Sequence, residues 1–169
     1  MLGGVFMAGG LNTEMARLSH RDIRQRRRAI RVLFDLDIAR ALEAFVPLLD
    51  DNDPWFKSKS LEAHRKWTAQ NGVDSLKPLV EHSWIEANRC AANLLSQFGK
   101  DSEEYANILL NCDDQTCQRK AAASLLQYSD KLKLAQKLSE HTDYQIRKLA
   151  FCSPSAGKEL RSIGLKDNN

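Results

Sequence analysis

Five small residues divide this 169-residue chain at nearly equal intervals. Ala29, Ser60, Ala91, Ala121 and Ala150 stand 31, 31, 30 and 29 residues apart. Four residues before them come Gln25, Phe56, Ala87, Cys117 and Ile146, and four after come Leu33, His64, Leu95, Leu125 and Pro154. On an α-helix, positions i, i+4 and i+8 share a face. A small residue at the centre of that face lets a second helix approach closely. A second ladder lies between these: Leu48, Leu79, Leu109 and Leu138, each preceded by three positions by Phe45, Leu76, Ala106 and Ala135. The period therefore holds two helices per unit and five units in the chain.

The helix starts share the period. Asp22, Asp53, Ser83, Asp113 and Asp143 are residue types whose side chains accept the free N–H groups of a first turn. Pro54 follows Asp53 at a position where proline is pre-organised for the helix. Asn71, Asp101 and Asp130 are expected to cap the second helices. Pro47 and Pro78 fall at equal positions in second helices one and two, which must bend or begin late. The end units depart from the pattern. Gln25 and Arg26 replace an apolar start, Pro154 replaces a core Leu, and the last second helix, near 156–163, is short. Polar end units are what a finished array requires, so the repeat domain is expected to run from 20 to 165. Residues 1–19 form a frayed lead-in, and residues 166–169 a short tail.

Composition agrees with a globular helical chain. Charged residues are 28% and hydrophobic ones 43%, against eight Gly and four Pro, too few for a many-turned β architecture. Cys90, Cys112, Cys117 and Cys152 include no C-x-x-C pair, which predicts reduced thiols and a cytoplasmic protein. The opening MLGGVFMAGGL is apolar but lacks a basic flank and is far too short to span a bilayer, so no membrane association is expected. Met7 and Met15 are alternative starts.

A two-helix unit near 30 residues resembles the short HEAT-like repeats of phycobilisome-lyase-type proteins. The residues that carry the resemblance are an Asp cap, an apolar–basic pair and a small residue, as in Ile146–Arg147–Ala150 and Phe56–Lys57–Ser60. The last unit, LSEHTDYQIRKLAFCSPSAGKELRSIG, also resembles a leucine-rich-repeat variant. The resemblance implies an all-α, right-handed α-solenoid of about five repeats, with first helices outside and second helices lining a concave face. It is specific for fold and almost silent about function.

Charge is uneven along the chain. Residues 1–40 carry eight Arg against Glu14, Asp22, Asp35 and Asp37, whereas the remainder balances to −1. Within RDIRQRRRAIR, Arg24, Arg27, Arg28 and Arg31 fall on one helical face. That face suits an anionic partner, nucleic-acid phosphate first, or serves as a solvated cap on the first repeat. Some similar helical-repeat proteins are DNA glycosylases. Later repeats offer Lys77, Lys133 and Lys137, interspersed with Asp74, Glu104 and Glu140.

His82, Cys112 and His141 recur at the turn after each second helix, with Glu81 and Glu140 before the histidines. Deoxyhypusine hydroxylase, also HEAT-like, binds iron through repeated His-Glu pairs. Here the order is reversed, and equivalent positions in adjacent repeats lie about a helix diameter apart, too far to share one ion. These are expected to be turn residues, and His64 a hydrogen-bonded core histidine. No nucleophile elbow, P-loop or H-E-x-x-H is present. Glu103–Glu104 and Asp113–Asp114 are adjacent pairs whose members point apart, so no catalytic residue, metal or cofactor is assigned. Trp55, Trp67 and Trp84 suit packing beneath turns more than base stacking.

One pattern points to a partner. Tyr105, Ile108 and Leu134 are apolar where units one and two carry Ala44, Pro47 and Ser75. Either they anchor a peptide or helix on the concave face, with Lys133 and Lys137 beside them, or they widen the buried stripe. The leading function is a non-enzymatic protein-interaction adaptor. The alternatives are nucleic-acid binding through the arginine face and a lyase-like repeat enzyme acting on a bound cofactor.

Overall fold

The computed structural model describes residues 3–128 and 130–166, with side chains from Gly10 onward. Among the described residues there are eleven α-helices and no strand. The chain forms two compact units, residues 1–75 and 76–169.

The first unit holds α1 (Gly3–Arg17), α2 (Ile23–Leu36), α3 (Leu42–Phe45) and α4 (Pro54–Asn71). The frayed lead-in is a correction: α1 is helical and packs on α2. Leu11 and Leu18 join Ile30, Leu33, Phe45 and Trp67 in one core, because α2 otherwise leaves an apolar flank in water. Phe34, Phe45 and Trp67 have ring centroids 5.1–5.6 Å apart. The Trp67 indole N–H donates to Asp37 Oδ1 at 2.9 Å, which satisfies the one polar atom of a fully buried ring. Asp37 closes α2 in the left-handed region, at φ 50, and its own N–H reaches Leu33 O.

The second unit holds α5 (Lys77–Val80), α6 (Ile85–Leu94), α7 (Glu103–Leu110), α8 (Gln115–Leu126), α9 (Leu132–Leu138), α10 (Tyr144–Cys152) and α11 (Lys158–Gly164). α8 packs against α6, α7 and α10, and α10 against α9 and α11. Ala122, Leu126, Leu138, Ile146, Ala150 and Leu160 form a core there.

Burial follows the predicted ladders. Ala29, Ser60, Ala91, Ala121 and Ala150 are all fully buried, as are Phe56, Ala87, Cys117 and Ile146 four residues earlier. Leu48, Leu79, Leu109 and Leu138 are buried as well. The ladder frays only at its two ends, where Gln25 is half-buried and Pro154 exposed. Ser60 fits an alanine position because its Oγ donates to Phe45 O at 2.7 Å, so a buried hydroxyl is not left unpaired.

The capping predictions need correction at several points. Asp22, Asp53 and Asp143 cap α2, α4 and α10 as expected. Asp114, not Asp113, caps α8, and the N-cap position of α6 is Trp84, not Ser83, with no side-chain cap bond. With those two changes every cap stands seven residues before the buried small residue, at 22, 53, 84, 114 and 143. A fixed seven-residue offset is two turns of helix, which sets the small residue above its own cap. Asn71, Asp101 and Asp130 do not cap second helices. Asn71 ends α4 and donates to Ala39 O and Trp67 O. Backbone turns open the second elements instead: Gly72 and Gly99 take positive φ, and the hydroxyls of Ser75 and Ser102 bond back to Thr68 O and Leu95 O, each at 3.1 Å. Pro47 lies in a 3-10 turn, Val46–Asp50, and Pro78 in the first turn of α5; where a bend or a late start was expected, both second elements are broken into short pieces. No helix among the described residues is long and apolar enough to cross a membrane.

Candidate functional site

The arginine row divides on folding. Arg27 turns to Asp53, with Nη2 3.4 Å from Oδ2, and its guanidinium lies 5.2 Å from the Trp55 ring centroid. Arg26, outside the predicted row, is held more firmly. Its Nε donates to Leu18 O at 2.8 Å, it pairs with Asp51, and it lies over Phe56 at 3.8 Å. The guanidinium groups of Arg24, Arg28 and Arg31 remain exposed on α2 with no hydrogen bond or ion pair among the described residues. The face therefore offers three uncommitted guanidinium groups, not four.

The pairing of Arg27 with a helix cap recurs in the second unit. Arg89 donates to Asp114 Oδ2 from Nη2 at 2.7 Å and from Nε at 3.2 Å. Arg119 donates from Nε to Asp143 Oδ2 at 2.9 Å. In each case the other carboxylate oxygen accepts a first-turn N–H of its own helix, from Cys117 or Gln145. The hydrogen bond from Arg89 outweighs desolvation and holds the Asp114 carboxyl at about 2. Burial pushes the Asp143 carboxyl up, but Arg119 and the N–H groups of Gln145 and Ile146 together bring it below the usual carboxylate range. This ladder was not expected from the sequence. Its signal was present as a basic residue two positions before the small one, at Arg27, Arg89, Arg119 and Lys148.

The second-helix surface also changes. Tyr105 is only 8% exposed, so its assignment as a partner anchor is corrected: on α7 it points with Ala106 and Leu109 into the core. Leu134 is half-buried and packs on the core of α8–α11. Ile108, three residues after Tyr105, stays 43% exposed, and Lys133 and Lys137 are exposed on α9. An ion pair from Lys131 to Glu103 ties the starts of α9 and α7 together.

His82, Cys112 and His141 act as turn staples. Nδ1 of His82 accepts the Trp84 N–H at 2.9 Å, and Nδ1 of His141 accepts the Asp143 N–H at 3.0 Å. The Cys112 thiol donates to Asp114 O at 3.7 Å. His20 and Asp51 do the same work, each accepting the N–H of the cap two residues on at 2.9 Å. They extend the row by the same period and could have been found from it. No group of three His, Cys, Asp or Glu side chains among the described residues converges as metal ligands do. His64 is buried and donates from Nδ1 to Ser60 O at 2.9 Å, while its Nε2 has no partner among the described residues. Burial pushes its pKa down, opposed in part by the bond to Ser60. Trp67 is sealed in the core, and Trp55 and Trp84 are half-buried beside Phe56 and His82.

No protein-family model matches the chain, and no curated protein matches it. Among solved structures it is similar to the crystal structure of an engineered protein, with a TM-score of 0.46 and 17% identity over 92% of this chain and 86% of that one.

Proposed function

We propose that the chain is a non-enzymatic, cytoplasmic interaction scaffold built from HEAT-like helix pairs in a right-handed solenoid, and that a peptide or helix binds its second-helix surface. The observation that supports this most directly is Ile108. It is an aliphatic side chain left 43% exposed on a helix whose neighbouring apolar residues, Tyr105, Ala106 and Leu109, are buried. An exposed aliphatic side chain on α7, with Lys133 and Lys137 exposed on α9, suits an acidic, amphipathic partner. Stability rests on the ladders, so this surface is free to serve recognition. The test is paired affinity capture with wild-type protein and an Ile108→Ser, Lys133→Glu, Lys137→Glu variant. The same partners retained at equal yield by both would remove this surface from the function.

A second proposal rests on Arg24, Arg28 and Arg31, which are exposed and uncommitted. Such a row suits nucleic-acid phosphate. Binding to a labelled duplex should fall steeply with salt and vanish when the three become Glu. Affinity indifferent to both changes excludes this role.

A further inference from the structure

The second unit contains two completed seams and one open one. In both completed seams a basic residue of one helix, Arg89 or Arg119, holds the aspartate that caps the next helix. Three residues after each basic residue stands a buried alanine, Ala92 or Ala122. On α10 the equivalent residues are Lys148 and Phe151. Lys148 is exposed and makes no ion pair among the described residues, and Phe151 is only half-buried. Together with Tyr144, Cys152, Arg161 and Leu165 they line an open cleft of about 670 Å³ between α10 and α11. Leu165 is 88% exposed there. Gly164 forms part of the wall, and a Cβ at that position would lie 2.5 Å from the Phe151 ring, so the glycine preserves the packing of Phe151 against α11.

We infer that this cleft is a docking site for a helix of a partner protein that begins with an aspartate N-cap. The completed seams specify the chemistry. Asp114 and Asp143 are each followed by an apolar residue three positions on, Cys117 or Ile146, and by a buried alanine seven positions on. A helix of pattern Asp-x-x-apolar-x-x-x-Ala reproduces that seat, with its carboxylate on Lys148 and its apolar stripe on Phe151 and Leu165. Lys148 and Arg161 give the cleft a positive charge that matches an acidic first turn. A second copy of this chain is a poor occupant. The helix begun by its first cap, Asp22, is α2, which already packs against α1, and it would bring Arg24 and Arg28 to a cleft that already holds Lys148 and Arg161. The site shares no residue with the Ile108 surface and does not depend on it.

The test uses full-length protein and a fluorescein-labelled, hydrocarbon-stapled helix beginning Asp-x-x-Ile-x-x-x-Ala, read by anisotropy. Saturable binding is expected, weakened about fivefold when the peptide Asp becomes Asn or when Lys148 becomes Glu. Leu165→Ser should weaken it as well, while the Ile108→Ser variant binds as wild type. All three protein changes are at exposed positions, and an unchanged melting curve confirms that each variant is folded. Failure to saturate by about 1 mM peptide overturns the inference. So does equal binding by the Asn peptide or by Lys148→Glu. Sedimentation showing a self-associated chain that Lys148→Glu dissociates would assign the cleft to a second copy and overturn it too.

Discussion

Arg119 and Asp143 divide one carboxylate between two tasks. Oδ2 accepts the guanidinium from the preceding first helix at 2.9 Å, and Oδ1 accepts the N–H of Gln145 at 2.8 Å in its own helix. The same side chain therefore starts one helix and fixes its place on another. Asp143 is buried, whereas Arg119 is largely in water, so the two ends of the pair differ in importance.

Asp143→Ala should lower the free energy of unfolding by about 2 kcal/mol, combining a lost cap with a lost charge-assisted hydrogen bond. Arg119→Met should cost less, about 1 kcal/mol or below, because one partner is solvent-screened. Urea unfolding of both single variants and the double variant measures the coupling. Additive effects would show that the carboxylate works as a cap alone.

The acid side of the stability curve should carry the signature of Asp114. Its carboxyl is held at about 2 in the folded chain, chiefly by Arg89, against about 3.9 in an unfolded one. The unfolded state then binds the proton first. The contribution is complete above about pH 4 and is lost as pH falls toward 2. Urea midpoints of wild type and Asp114→Asn should converge across that window, and parallel curves would count against the pairing.

His64 should act in a higher window. Burial lowers its pKa in the folded chain below the ordinary histidine value of about 6.5, so its neutral form stabilises the fold above that pH and this contribution is lost as pH falls. The equivalent rungs in other units are Leu33, Leu95 and Leu125. His64→Leu should flatten the decline between pH 7 and 5 and remove a buried nitrogen that has no partner among the described residues. A variant that keeps the full slope would place the titrating group elsewhere.

Tyr105 and Ile108 should respond oppositely to truncation. Tyr105→Ala removes a buried aromatic and is expected to cost about 3 kcal/mol with a clear fall in melting temperature. Ile108→Ser, at an exposed position, should change stability by less than about 0.5 kcal/mol. Equal effects on melting would mean that both side chains belong to the core.

The 30-residue period was legible because burial is a local demand repeated along the chain. A helix needs an apolar stripe and a small residue wherever another helix crosses, and those needs are written at Ala29, Ser60, Ala91, Ala121 and Ala150. The first-helix caps at Asp22, Asp53 and Asp143 were legible for the same reason, since a cap acts within its own first turn. At 113–114 the two aspartates are equivalent cap types, and the seven-residue offset kept by Asp22, Asp53 and Asp143 is the one that Asp114 matches.

The candidate sites were less legible, because they depend on which flank of each helix meets a neighbour. Four arginines share a helical face in the sequence, yet Arg27 is drawn to Asp53, 26 residues away. Tyr105 and Ile108 are both apolar and only three residues apart, yet only Ile108 is left in water. His82 and His141 have the composition of ligands, but each imidazole accepts a backbone N–H two residues on. By itself the sequence determined that the chain is helical, how often its helices recur and which residues they bury, since each follows from periodicity along one strand of chain. The tertiary structure decided which charges are spent on helix caps and which remain free, because a carboxylate 24 to 26 residues away becomes a neighbour only when the helices pack.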